Sequence, residues 1–236
     1  MKRLLVLFDI DGTILLSGGA GRRAILSALA DETGVSEAPL DHIRFDGKTD
    51  PQIALELLGA VGAAGPIAEE LIASLIARYL VHLESDLSLN AARVTVMPGM
   101  LELLDLVEAE ERAVLGLLTG NVSAGAALKL KAAAIEPQRF RVGAYGSDHA
   151  DRAALPPIAA RRAEPLFGRV PGGREVVIIG DTPADVTCGR SIGAVSIGVA
   201  TGSYSTQVLE AAGAHATFQD FSEPLRVRDT LLSLTG

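Results

Sequence analysis

The sequence predicts an α/β protein with a parallel sheet covered on both faces, and three observations carry that reading. Short apolar runs at 4–8, 113–118, 176–179 and 195–199 each stop at Gly, Asp or Thr, as strands buried on both sides do. Stretches with helical spacing separate them, at 99–110 after Pro98, at 122–134 and from Pro157 onward. The polar residues that stop the runs include paired carboxylates. In sheets of this kind ligands bind beyond the carboxyl ends of the strands, so these residues are where chemistry is expected.

Along the chain, Met1-Lys2-Arg3 followed by the apolar run 4–8 imitates a secretory leader, but Asp9 and Asp11 cut the run short and a first buried strand explains it better. Residues 17–93 then break the alternation. Helical periodicity over 22–32, 51–58 and 67–83, with no convincing strand between, predicts a helical insertion. Its links would be Ser17-Gly18-Gly19 and the region from Asn90 to Met97. The division expected is an α/β core of residues 1–16 and 94–236 and a helical unit of residues 17–93. Thr49 or Asp50 can cap the second inserted helix, and Pro51 suits its first position.

Composition narrows the class. A length of 236 residues, 48% of them apolar, allows one or two domains with a real core. Lys and Arg number 21 against 29 Asp and Glu, a net charge of -8, which repels nucleic-acid backbones. Aromatic residues are 4% and Trp is absent, so no base-stacking platform is expected. The lone Cys188 cannot form an internal disulfide, and no run approaches the roughly 18 apolar residues of a membrane span. A soluble, cytoplasmic protein is expected, with no nucleic-acid or membrane partner, as a monomer or homodimer.

The first strand leads into Asp9-Ile10-Asp11-Gly12-Thr13. Two carboxylates two residues apart share a direction, and Gly12 lets the chain turn away. Crowded carboxylates repel unless a cation sits among them, and oxygen ligands suit Mg2+. The second run ends Thr119-Gly120-Asn121, a hydroxyl and backbone N–H groups at the start of a helix, where an anion is favoured. A later run ends Gly180-Asp181-Thr182-Pro183-Ala184-Asp185, again placing two carboxylates beyond a strand.

Together these segments resemble the haloacid dehalogenase superfamily of phosphohydrolases, in its phosphoglycolate phosphatase and beta-phosphoglucomutase-like branch. The motifs DxDGT, Thr and GDxxxD occur in order, and Val199-Ala200-Thr201-Gly202 before a helix fits that branch. The resemblance implies a Rossmann-like core sheet in strand order 3-2-1-4-5, with the helical insertion as a mobile cap. It implies that Asp9 is the nucleophile forming an aspartyl phosphate, and that Asp11 is the general acid and then base, its carbonyl reaching the metal. It implies that Thr119, Gly120 and Asn121 hold phosphoryl oxygens, and that Asp181 binds Mg2+ directly with Asp185 acting through water or orienting a ligand. The expected activity is Mg2+-dependent hydrolysis of a small phosphorylated metabolite. A sugar phosphomutase would use the same two aspartates. A receiver-like module that is phosphorylated without turnover would need neither the insertion nor the second Asp of GDxxxD.

One motif departs from the family pattern. The Lys expected between the second and fourth motifs is missing from residues 147–157, and Arg152, five residues before Pro157, is the replacement. Lys129 and Lys131, in the helix after Thr119, are expected to face solvent. Asp148 and His149 read as loop polar residues, and Cys188 as a packing residue. In the insertion, Gly47-Lys48 precedes the capped helix, and Lys48 is expected to bind an anionic or polar part of the substrate.

Overall fold

The computed structural model describes residues 3–35, 39–62 and 67–235. Strand β1 (Leu4–Phe8) is wholly buried, and its side chains divide between two layers, as the two-residue period of a strand requires. Leu4, Val6 and Phe8 point to one layer and Leu5 and Leu7 to the other.

The chain then makes a tight loop, a short strand β2 (Leu15–Leu16) and three helices, α1 (Ala20–Thr33), α2 (Asp50–Ala60) and α3 (Glu69–Leu89). These helices share an apolar cluster of their own. Leu75, Tyr79, Leu83 and Leu87 recur every four residues along α3 and meet Ala24, Ile25 and Ala28 of α1 and Ile53, Ala54 and Leu57 of α2. The Thr49 side chain caps α2 by accepting from Gln52 N at 3.3 Å, with Pro51 in the first turn. Strand β3 (Thr95–Val96) returns antiparallel to β2, so the two connections run side by side.

The remaining elements alternate: α4 (Met100–Ala109), β4 (Ala113–Thr119), α5 (Ser123–Ala132), β5 (Val142–Tyr145), α6 (Leu155–Phe167), β6 (Val176–Gly180), α7 (Pro183–Cys188), β7 (Val195–Val199), α8 (Thr206–Ala211), β8 (Ala216–Phe218) and α9 (Pro224–Thr235). The main sheet is parallel throughout, in the order β5-β4-β1-β6-β7-β8. Met100, Leu103 and Val107 of α4 and Val227 and Leu231 of α9 cover one face. Leu155, Ala159 and Ala163 of α6 cover the other, with Cys188 packed among them.

Counting only strands of this sheet, the order is 3-2-1-4-5-6. The expected 3-2-1-4-5 is thus extended by a sixth strand. Two strands escape the apolar-run criterion for physical reasons. Val142–Tyr145 contains Gly143 and Ala144, poor strand formers, and Ala216–Phe218 is a half-buried three-residue edge. Among the described residues no helix is long and apolar enough to cross a membrane.

Candidate active site

The site lies at the carboxyl ends of β1, β4, β5 and β6, where the chain connections diverge to opposite sides of β1. A cavity of about 410 Å3 opens there between the sheet and the inserted helices. Asp9, directly after β1, is anchored by its N–H donating to Ile179 O at 3.0 Å. The backbone turns at once: Thr13 and Ile14 both donate to Ile10 O. Gly12 makes that turn with φ +80°, and a Cβ there would collide with the Asp181 carboxylate. The glycine is therefore what lets the first and last motifs touch.

Asp9, Asp181 and Asp185 bring one carboxylate oxygen each to within 4.8 Å of one another, all three buried. Burial, moderated by Arg152 and reinforced by Asp185 and Asp11, pushes the Asp9 carboxyl up to about 6. Burial and the neighbouring charges of Asp185 and Asp9 push Asp181 up to about 9, although Thr13 donates to its Oδ1 at 3.2 Å. Such a cluster of oxygen donors, short of positive charge, fits a hard divalent cation. Asp9 and Asp181 are the available ligands. Asp185 is already engaged: its Oδ2 accepts from Thr182 Oγ1 at 2.6 Å and Thr182 N at 3.0 Å, and its Oδ1 accepts from Arg152.

Arg152 sits in a short turn (Arg152–Ala154) leading into α6 and is buried. Its Nη2 lies 3.1 Å from Asp9 Oδ2 and also bonds Asp185. Burial opposes its charge, but Asp185 and Asp9 outweigh that, so the guanidinium is held firmly protonated. Its Nε is buried and has no partner among the described residues.

The second motif ends β4. Thr119 Oγ1 accepts from Asn121 Nδ2 at 2.8 Å and from Asn121 N at 3.3 Å, and Asn121 Nδ2 also donates to Asp11 Oδ2 at 2.8 Å. Gly120 O accepts from Asp50 N at 2.8 Å, and a Cβ on Gly120 would strike the Lys48 carbonyl. The start of α2 therefore docks on the second motif. Thr49 Oγ1 adds a bond to Ala150 O at 2.6 Å, and the Asp50 carboxylate accepts from Val122 N at 2.8 Å.

All nine residues singled out in the sequence converge here, and all but Asp185 line the cavity. Lys48 lines it with its ammonium paired to Glu56. Lys131 faces solvent as expected, but Lys129 does not: its ammonium is buried and donates to Asp11 Oδ2 and to Asn121 Oδ1, both at 2.6 Å. The correction has a local cause, because Lys129 shares the inward face of α5 with Gly125, Ala126 and Leu130. That pattern is the signal that could have found it. Asp50 is the other residue missed. Its neighbour Thr49 does the capping, which frees the Asp50 carboxylate to turn inward, where burial pushes it up to about 6. Asp148 ties its loop to Arg162 of α6, and His149 accepts from Asp151 N within the loop. Burial pushes the Cys188 thiol up to about 12, which leaves it inert.

Fold and site together resemble those of haloacid dehalogenase-like hydrolases. A family model for HAD hydrolase-like proteins matches residues 153–224, from the Arg152 turn through the GDxxxD motif and beyond. The chain is 28% identical over 240 residues to "Probable phosphatase IndB" of Dickeya dadantii (strain 3937), covering 98% of this chain and 96% of that one. The fold is shared with a hydrolase from Pseudomonas syringae (TM-score 0.71, 22% identity, 97% and 99% of the two chains). It is also shared with a predicted phosphoglycolate phosphatase from Haemophilus somnus 129PT (TM-score 0.67, 18% identity, 96% and 98%).

Proposed function

We propose that the protein is a Mg2+-dependent phosphatase that hydrolyses a small phosphorylated metabolite through a phosphate ester of Asp9. The observation that carries this reading is the division of labour between Asp9 and Asp11. Asp9 is buried among carboxylates with Arg152 at its oxygen, while the Asp11 side chain is 41% exposed and reaches the cavity beside it. A nucleophile needs the first environment and a proton carrier facing a leaving group needs the second.

Magnesium bound by Asp9 and Asp181, with Asp185 behind them, would supply the charge neutralisation that lets an anionic ester approach an anionic nucleophile. Arg152 aligns Asp9 and balances the charge that builds on the transferring group. Thr119 and the Gly120–Asn121 backbone form the phosphoryl cradle. Asp11 gives its proton to the leaving oxygen and then withdraws one from the water that releases phosphate. The docked start of α2 screens the reacting atoms from bulk water, and the helical insertion, residues 17–93, acts as a cap that opens for exchange. Lys48 meets a polar or anionic part of the leaving group. The likeness to the Dickeya dadantii phosphatase over nearly the whole of both chains supports hydrolysis over phosphoryl return to a sugar.

The test is phosphate release from a panel of phosphorylated metabolites and from p-nitrophenyl phosphate, with Mg2+ and after chelation. Turnover is expected only with the metal, and Asp9→Asn is expected to abolish it while the thermal transition is retained. Undiminished release by folded Asp9→Asn protein would remove Asp9 from the nucleophile's role.

A further inference from the structure

The site holds two buried cations, and the reaction proposed above employs only one. Arg152 serves Asp9 and Asp185. Lys129 has no contact with that pair; it bonds Asp11 Oδ2 and Asn121 Oδ1, and Asn121 Nδ2 bonds the same Asp11 oxygen. Lysine, amide and carboxylate thus close a three-membered ring of hydrogen bonds on Asp11 Oδ2, and among the described residues Asp11 Oδ1 accepts no hydrogen bond. A buried ammonium is unfavourable without partners, and these two short hydrogen bonds, one of them to a carboxylate, are what offset burying Lys129.

The helical insertion completes the enclosure. Gly21 of α1 lies so close that a Cβ there would come 3.4 Å from Lys129 Nζ and 3.8 Å from the Tyr79 hydroxyl of α3. Asp50 of α2 bonds the backbone of Val122, the residue next to Asn121. With the insertion docked, the Lys129 side chain is 5% exposed at the edge of the cavity, and its ammonium is bonded to Asp11 and Asn121.

We propose that Lys129 is a positioning residue for Asp11: with the insertion docked, it fixes one carboxylate oxygen so that the other presents its proton to the leaving oxygen. The inference rests on the phosphatase reading. Asp11 follows a strand on a loop and is partly exposed, so without this anchor its carboxylate would swing toward water.

The experiment compares first-turnover rates on p-nitrophenyl phosphate, whose leaving group needs no proton, and on phenyl phosphate, whose leaving group does. For Lys129→Met the loss on phenyl phosphate is expected to exceed the loss on p-nitrophenyl phosphate by about tenfold, a fraction of the whole general-acid effect. Lys129→Arg, which keeps the charge, should recover part of that difference. Circular dichroism establishes folding, and if Lys129→Met does not fold, Lys129→Gln carries the same comparison. Equal losses on the two esters, or no loss on either, overturn the proposal while wild-type turnover leaves the phosphatase reading standing. A wild-type protein that cleaves neither ester overturns that reading and this inference with it.

Discussion

Replacing Asp50 by Asn should stabilise the protein at neutral pH and do nothing for it in acid. Asp50 is 8% exposed, and burial raises its carboxyl from 3.8 to about 6 even though Lys129 and the Val122 N–H both favour the charged form. The folded state therefore binds the proton more tightly than the unfolded state does. For a carboxyl raised on folding, the stabilisation is present below the unfolded value and is lost as pH rises through the folded one. A shift of about two units, at about 1.36 kcal/mol per unit, makes ionised Asp50 a burden of about 3 kcal/mol above pH 6. Asn keeps the shape and can still accept from Val122 N, but carries no charge to desolvate. Urea unfolding of wild type and Asp50→Asn at intervals from pH 4.5 to 8 measures the difference directly. A gap that opens with rising pH and levels off above about pH 7 is expected. A gap independent of pH, or a variant that becomes progressively less stable than wild type as pH rises, would refute the reasoning.

Three further outcomes follow from the same geometry. Arg152→Ala leaves Asp9 and Asp185 buried without their partner and should lower stability by about 3–5 kcal/mol and nearly abolish turnover, while Arg152→Lys should retain partial activity; denaturant titration and phosphate release check both. Gly120→Ala places a Cβ against the Lys48 carbonyl and should cost about 1–3 kcal/mol and raise KM, because the start of α2 must shift away from the cradle. Lys48→Ala breaks a partly exposed pair with Glu56, so it should change stability by less than about 1 kcal/mol while weakening turnover of the preferred metabolite more than that of p-nitrophenyl phosphate.

The parts of the site legible in the sequence are those whose meaning is local. Asp9 and Asp11 two residues apart after an apolar run, Thr119 at a run's end, and Asp181 four before Asp185 each carry their geometry in a few residues, because a strand's end and a helix's first turn fix side-chain direction over that distance. The short strand Val142–Tyr145 fails that criterion, since its backbone pairing with β4 rather than its side chains makes it a strand.

By itself the sequence determined a parallel α/β core, a helical insertion and a cluster of aspartates at the strand ends, with Arg152 expected beside them. Only the tertiary structure decided that Lys129, 118 residues from Asp11, turns inward to it, and that Asp50, 72 residues from Val122, leaves the capping to Thr49 and clasps the core instead. The physical reason is that a charged side chain on a helix reads as solvated until a partner is known. Long-range docking supplies the carboxylate that makes burying Lys129 tolerable, and no local pattern encodes where that partner will be.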